Sequence, residues 1–305
     1  MQSAQAPPKD AFRVLITGFG PFSHYEVNPS WLAVKALHNT VHIAEGAPPL
    51  DTGISSTEGK AYRSIHISTL EIPMTYDAAL HIVPGLHLRP PILPEMDDPA
   101  FPPPPATGYD FMFHIGVAGR GPLRMERLAH KLGYHMKDAI SKLAPVVRSS
   151  PKDFSRRPDD PFVAENAERE RLGMEMVEGG GDTVLRPTRG FGSAYENFPD
   201  EITTEIDVSR LVQDLKRSGI EHIYTSMDAG HYLCDFTYYC SLAEAKRTAK
   251  PYEKRRNTQV LALHCPPVNQ PLTTEEVTAT IKHIVVWVVG ELHLLDETNE
   301  SVTGR

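Results

Sequence analysis

The chain has 305 residues, 40% of them hydrophobic, and a formal net charge of −8. That length can bury a large core, and the acidic balance, with no Lys/Arg run longer than three, argues against a nucleic-acid or other polyanion partner. Three cysteines give no disulfide spacing, Met1–Asp10 lacks the apolar centre of a signal peptide, and the longest apolar stretch, Ile284–Gly290, is too short to span a bilayer.

Five runs read as strands: Arg13–Phe19, Ser64–Ile72, Asp110–Val117, His222–Ser226 and Gln259–His264. Helical runs alternate with them at Ser30–Asn39, Leu123–Tyr134, Val208–Ser218, Tyr232–Arg247 and Thr273–Leu295. The last opens on a capping box, Thr273-Thr-Glu-Glu276, with Leu272 and Val277 placed as a hydrophobic staple. Such alternation predicts an α/β fold with a mostly parallel sheet covered on both faces. Its ligands belong at the carboxyl ends of the strands.

Three segments interrupt this pattern. Residues 84–108 contain nine prolines, 149–189 are charged and include Gly179-Gly-Gly181, and 247–257 are basic and polar. They read as surface insertions in a single domain whose core runs from about 12 to 297, with 1–11 and 298–305 expected to be disordered.

The chemistry concentrates in Ser226-Met-Asp-Ala-Gly-His-Tyr-Leu-Cys-Asp-Phe-Thr-Tyr-Tyr-Cys240. Cys234 follows a glycine turn between a strand and a helix, where free N–H groups and the dipole favour a thiolate. Leu261-Ala-Leu-His264 ends an apolar run on a histidine. A cysteine and a distant histidine are the minimum for a cysteine hydrolase, although a lone cysteine in an apolar segment is also an ordinary core residue. Glu126, early in the third helical run, reads either as a helix-dipole partner or as a group that orients an imidazole. A zinc site from Cys234, Cys240, His264 and Cys265 is disfavoured, because Cys234 and Cys240 diverge on one helix and no C-x-x-C pair exists. The turn Thr17-Gly-Phe-Gly-Pro-Phe22 lacks the third glycine of a dinucleotide fingerprint and the Lys-Ser/Thr of a P-loop. Its phenylalanines, Phe19 and Phe22, suit an apolar pocket or ordinary core packing.

Four blocks together resemble the pyroglutamyl-peptidase I family, also called pyrrolidone-carboxylate peptidases. They are Thr17–Phe22 with Val27-Asn-Pro-Ser-Trp31; Glu71-Ile-Pro73; His114-Ile-Gly-Val-Ala-Gly-Arg120 leading to Glu126-Arg-Leu-Ala-His130; and Asp228–Tyr239 followed by Leu263–Pro267. The resemblance implies a three-layer α/β/α sandwich and a cysteine exopeptidase that removes N-terminal pyroglutamate through an acyl-enzyme. It implies Cys234 as nucleophile, His264 as general base and acid, and Glu126 as the acidic third member. Phe19, Phe22, Val117, Tyr232 and Leu233 fall at its substrate-pocket positions. No cofactor or metal is implied, and the partner is a peptide with N-terminal pyroglutamate. A cytoplasmic location is expected, with the oligomeric state open and a monomer favoured. Lys131 stands where the family usually has asparagine. The alternatives are a non-catalytic relative that binds peptides or proteins, and a nucleoside- or phosphate-binding α/β protein.

Overall fold

The computed structural model describes residues 7–8, 10–45, 62–95, 101–148, 165, 168–169, 171–172, 174, 187–249 and 256–303. Its elements in chain order are β1 (Phe12–Phe19), α1 (Pro29–Lys35), β2 (Thr40–Glu45), β3 (Tyr62–Ile72), α2 (Tyr76–Leu86) and β4 (Phe111–Val117). Then come β5 (Leu123–Glu126), β6 (Leu128–His130), β7 (Val146–Arg148), β8 (Thr188–Arg189), β9 (Glu201–Thr203) and α3 (Val208–Arg217). β10 (Ile223–Ser226), α4 (Leu233–Arg247), β11 (Gln259–Cys265) and α5 (Thr274–Thr303) complete the set.

Seven strands form one sheet in the order β10-β5-β11-β4-β1-β3-β2. Pairs β1/β3, β1/β4, β4/β11 and β5/β10 are parallel, while β5/β11 and β2/β3 are antiparallel. β1, β4 and β11 are buried almost throughout, so they read as continuous apolar runs rather than alternating ones. Alternation still decides which side each residue faces. Val14, Ile16, Phe113, Ile115, Leu261 and Leu263 join the cluster that contains Val34 of α1, Leu211 of α3 and Ile284 of α5. Leu15, Phe19, Met112 and Ala262 join the opposite cluster, with Val83 of α2 and Phe236 of α4. The result is the expected α/β/α arrangement.

The capping box at α5 forms as the spacing predicts. Glu276 Oε2 accepts from Thr273 N at 2.8 Å, and Thr273 Oγ1 accepts from Glu276 N at 3.2 Å. Leu272 and Val277, the staple pair, are both buried. α5 does not end near Leu295 but continues to Thr303, since no proline or glycine interrupts the chain between Gly290 and Gly304.

The helix expected over Leu123–Tyr134 does not exist. The segment forms the two short strands β5 and β6 instead. Leu123 and Met125 face one core while Arg124 and Glu126 face the other side, a period of two, and pairing with β10 and β11 overrides the helix-forming composition. β2 and α2 are elements the sequence reading did not contain. α2 is capped by Thr75, whose side chain accepts from Ala78 N at 3.1 Å, and it includes Pro84 in its last turn. The segment 84–108 therefore begins inside a helix, and its Leu86, Pro102 and Pro105 are buried. Most of 149–189 and of 247–257 lies outside the described residues, as does most of 1–11.

Candidate active site

Cys234 lies in the first turn of α4, half-buried, with Tyr232 as the helix N-cap. Tyr232 makes no side-chain cap bond, and its hydroxyl donates instead to the Lys137 carbonyl at 3.0 Å. First-turn amides of a helix have no intrahelical acceptor, so those beside the thiol are available to a ligand oxygen.

His264 and Glu126 come from neighbouring antiparallel strands. Glu126 pairs in register with Ala262 and Arg124 with His264, so Glu126 and His264 are diagonal neighbours on one face. His264 Nδ1 donates to Glu126 Oε1 at 2.7 Å. Both side chains are buried, and Glu126 Oε2 has no partner among the described residues. Tyr238 on α4 donates to the Glu126 backbone carbonyl at 3.1 Å, which ties this strand to the cysteine helix.

Gly116 is where the thiol and the imidazole meet. A Cβ at that position would sit 2.5 Å from Cys234 Sγ and 3.1 Å from His264 Cδ2. Only the missing side chain lets α4 approach β4 and β11 this closely.

The electrostatics are less favourable to a thiolate than the helix start suggests. Burial pushes the Cys234 thiol well up, and the negative charges of Glu168, Asp235 and Glu126 add to the effect. Asp235 is itself held by His130, whose backbone N–H and Nδ1 donate to Oδ1 and Oδ2 at 3.1 and 3.0 Å, and by the Tyr134 hydroxyl at 3.2 Å.

Phe19 and Phe22 are buried in the cluster that also contains Tyr232 and Leu233, with the Phe22 and Tyr232 rings 5.5 Å apart. Val117 is in register with Cys265, and alternation turns its side chain to the sheet face opposite Gly116. A crevice of about 10 Å3 lies against Phe19, His114, Gly116, Ala229, Cys234 and His264. That is roughly the space one water needs, and too little for a five-membered ring without side-chain movement. His114 is fully enclosed there. Its Nδ1 is 2.8 Å from Thr17 Oγ1, its Nε2 has no partner among the described residues, and burial holds its pKa down at about 3. The sequence reading gave Gly116, His114, Asp235 and Tyr238 no role of their own. The available signal was their place inside the motif blocks His114–Arg120 and Asp228–Tyr239.

The amides of the first glycine turn are already committed. Phe19 N donates to Ser30 Oγ, Gly20 N to the Ile72 carbonyl and Phe22 N to the Tyr25 carbonyl. A phosphate cradle needs such groups free, which removes the observation behind the nucleoside- or phosphate-binding alternative. Lys131 spans to the carbonyls of Glu196 and Phe198 at 3.2 and 2.8 Å rather than pairing with a nearby acid along a helix.

Among the described residues, His130, Asp228 and His231 each place one possible ligand atom within 4.8 Å of the others. Arg171 lies 3.6 Å from the Asp228 carboxylate, and its positive charge opposes a cation at that spot. The cysteines join no such group among the described residues: Cys240 is buried 3.3 Å from the Tyr195 hydroxyl.

A family model described as pyroglutamyl peptidase matches residues 12–82. Pyroglutamyl-peptidase 1 of Mus musculus is 24% identical over 281 residues, which cover 92% of this chain and 90% of the relative. The chain is thus similar to pyroglutamyl peptidases along most of its length. The Homo sapiens pyroglutamyl-peptidase 1 is 23% identical over 274 residues, covering 89% and 87%. The fold agrees with that of solved pyroglutamyl peptidases. Pyroglutamyl peptidase I of Bacillus amyloliquefaciens superposes with a TM-score of 0.51 at 20% identity, covering 90% of this chain and 95% of the other. The pyrrolidone carboxyl peptidase of Fervidobacterium islandicum AW-1 gives 0.52 at 20% identity, covering 90% and 97%.

Proposed function

We propose that this chain is a thiol peptidase that removes N-terminal pyroglutamate from peptides. The observation that supports this best is the convergence of Cys234, His264 and Glu126 at Gly116. With Nδ1 donating to Glu126, His264 Nε2 holds the lone pair that accepts the Cys234 proton. Because burial keeps the resting thiol protonated, transfer to His264 accompanies attack rather than preceding it. The Sγ–C bond then forms at the carbonyl of the pyroglutamyl residue, and the oxyanion is met by first-turn amides of α4. Breakdown cleaves the C–N bond, and the leaving amine takes the proton from His264. Water, deprotonated by the same nitrogen, hydrolyses the thioester and releases pyroglutamate.

The lactam is flat, neutral and largely apolar, with one N–H and one C=O. Phe19, Phe22 and Tyr232 supply apolar walls, and His114 Nε2, which has no partner among the described residues, supplies one polar contact. The ring enters by displacing side chains around the crevice. The three cysteines are free thiols, and no helix among the described residues is long and apolar enough to cross a membrane. A reducing cytoplasm and a monomer acting without metal or cofactor complete the reading. The deciding assay is release of a fluorescent amine from a pyroglutamyl amide, with and without iodoacetamide. Turnover that survives complete alkylation of Cys234 would sink the thiol mechanism.

A further inference from the structure

An open cleft of about 530 Å3 adjoins the site, lined by Arg120, Arg124, Arg171, Leu172, Tyr25 and Pro267 among others. Its position follows from the sheet. Arg124 is the direct cross-strand partner of His264, on the same face. Arg120 lies three residues beyond Val117, where β4 ends, and Pro267 two residues beyond Cys265, where β11 ends. The cleft therefore lies past the carboxyl ends of β4 and β11, the end of the sheet at which Gly116, Cys234 and His264 meet.

Its charge is unusual for a chain of net charge −8. Arg171 is offset by Glu168 at 3.2 Å and Asp228 at 3.6 Å. Arg120 bonds the neutral Gln270 through Nε at 2.6 Å. Neither Arg120 nor Arg124 has a carboxylate partner among the described residues. Two guanidinium groups without a counter-charge among the described residues thus share one concave surface, where field lines concentrate and draw in anions.

Arg171 and Leu172 belong to the 149–189 insertion, and they are built into the cleft rather than resting on it. The Arg171 carbonyl would lie 2.2 Å from a Cβ at Gly119, and Arg171 Nη2 donates to the Asp228 carbonyl at 2.7 Å. Leu172 also packs against the apolar cluster of Phe19 and Tyr232, so one insertion residue borders both the lactam side and the leaving side.

We infer that the cleft is a subsite for the leaving part of the substrate and that it selects a carboxylate there, either an acidic side chain after pyroglutamate or the terminal carboxylate of a short peptide. This rests on the peptidase reading. The probes are pyroglutamyl-aspartyl amide, pyroglutamyl-lysyl amide, pyroglutamyl-alanyl amide and pyroglutamyl-alanine, used on the full chain. At low salt the aspartyl amide should exceed the lysyl amide in kcat/KM by about fivefold or more, chiefly through KM, and about 0.5 M NaCl should shrink the ratio. A preference for pyroglutamyl-alanine over its amide would assign the terminal carboxylate to the same subsite. Arg124→Glu should reverse the Asp/Lys preference, Arg124→Lys should keep it, and Arg217→Gln, on the exposed face of α3, should leave it alone. Equal kcat/KM for the two charged amides, with the alanyl amide still cleaved, overturns the subsite and leaves the peptidase reading intact. A ratio unmoved by both salt and Arg124→Glu overturns it as well. Failure to cleave any of the four peptides removes the peptidase reading, and the subsite falls with it.

Discussion

Glu126 and His264 are 138 residues apart in the chain and 2.7 Å apart in space, joined across the antiparallel β5/β11 pair. The contact arises because β5, parallel to β10, runs antiparallel to β11, which is itself parallel to β4. Two strand residues on one face thereby replace the helix residue that the sequence suggested.

That placement sharpens the test of Glu126. Since it sits on a strand, no helix-dipole role remains to compete with the orienting one. Glu126→Gln keeps an acceptor for the Nδ1 proton but removes the charge that stabilises an imidazolium. We expect kcat to fall about tenfold or more, with a normal circular-dichroism spectrum. An unchanged kcat would leave a Cys234–His264 pair acting alone.

Gly116 is a second, independent probe of the same geometry. Gly116→Ala puts a methyl group 2.5 Å from Cys234 Sγ. Overpacking costs about 1–3 kcal/mol of stability, and the displaced thiol should lose most turnover even at temperatures where the protein stays folded. Full activity in that variant would mean that the thiol and imidazole do not need this approach.

Cys234→Ala should abolish amine release, whereas Cys240→Ala and Cys265→Ala should retain most of it. Cys240 packs against Tyr195, so its loss should show in thermal melting rather than in rate. Burial raises the Cys234 thiol, so iodoacetamide should react slowly at pH 7 and faster as pH climbs past the ordinary thiol value of about 8.5. Rapid alkylation near pH 6 would show a thiolate already formed at rest.

Glu168 links the insertion to pH. Burial raises its carboxyl to about 7, against the partial compensation of Arg171. A raised carboxyl pKa means the fold prefers the protonated form. The resulting stability is present below the unfolded value of about 4.5 and is lost as pH rises through about 7. Glu168→Gln mimics the protonated side chain, so the variant should melt close to the parent at pH 5 and progressively above it by pH 8. Parallel melting curves at both pH values would contradict this.

The lactam slot needs gentler variants than alanine. Phe19 is 1% exposed, and truncating such a side chain costs about 3–5 kcal/mol, which would mask any effect on specificity. Phe19→Leu and His114→Phe are better. His114→Phe should lower kcat/KM for pyroglutamyl amide more than for a prolyl amide, which lacks the lactam carbonyl. An equal effect on both would remove His114 from substrate recognition.

Composition and periodicity alone were sufficient for the α/β class, for the strands that contain Phe19, Val117 and His264, and for the capping box of α5, because these rest on local pattern and on burial of long apolar runs. The glycine turn before Cys234 was equally legible, since turn and helix start are written in adjacent residues. Tertiary structure decided the rest. Leu123–His130 has helix-forming residues, yet its ladders with β10, β11 and β9 make it strands, and no local rule weighs distant hydrogen bonds. The closeness of Cys234 to His264 depends on one absent side chain at Gly116, and the cleft depends on Arg124 facing His264 across a register. The rise of the Cys234 thiol comes from desolvation and from carboxylates that only the packed chain brings near it. Burial and long-range pairing are properties of the assembled fold, so the chemistry they tune appears only there.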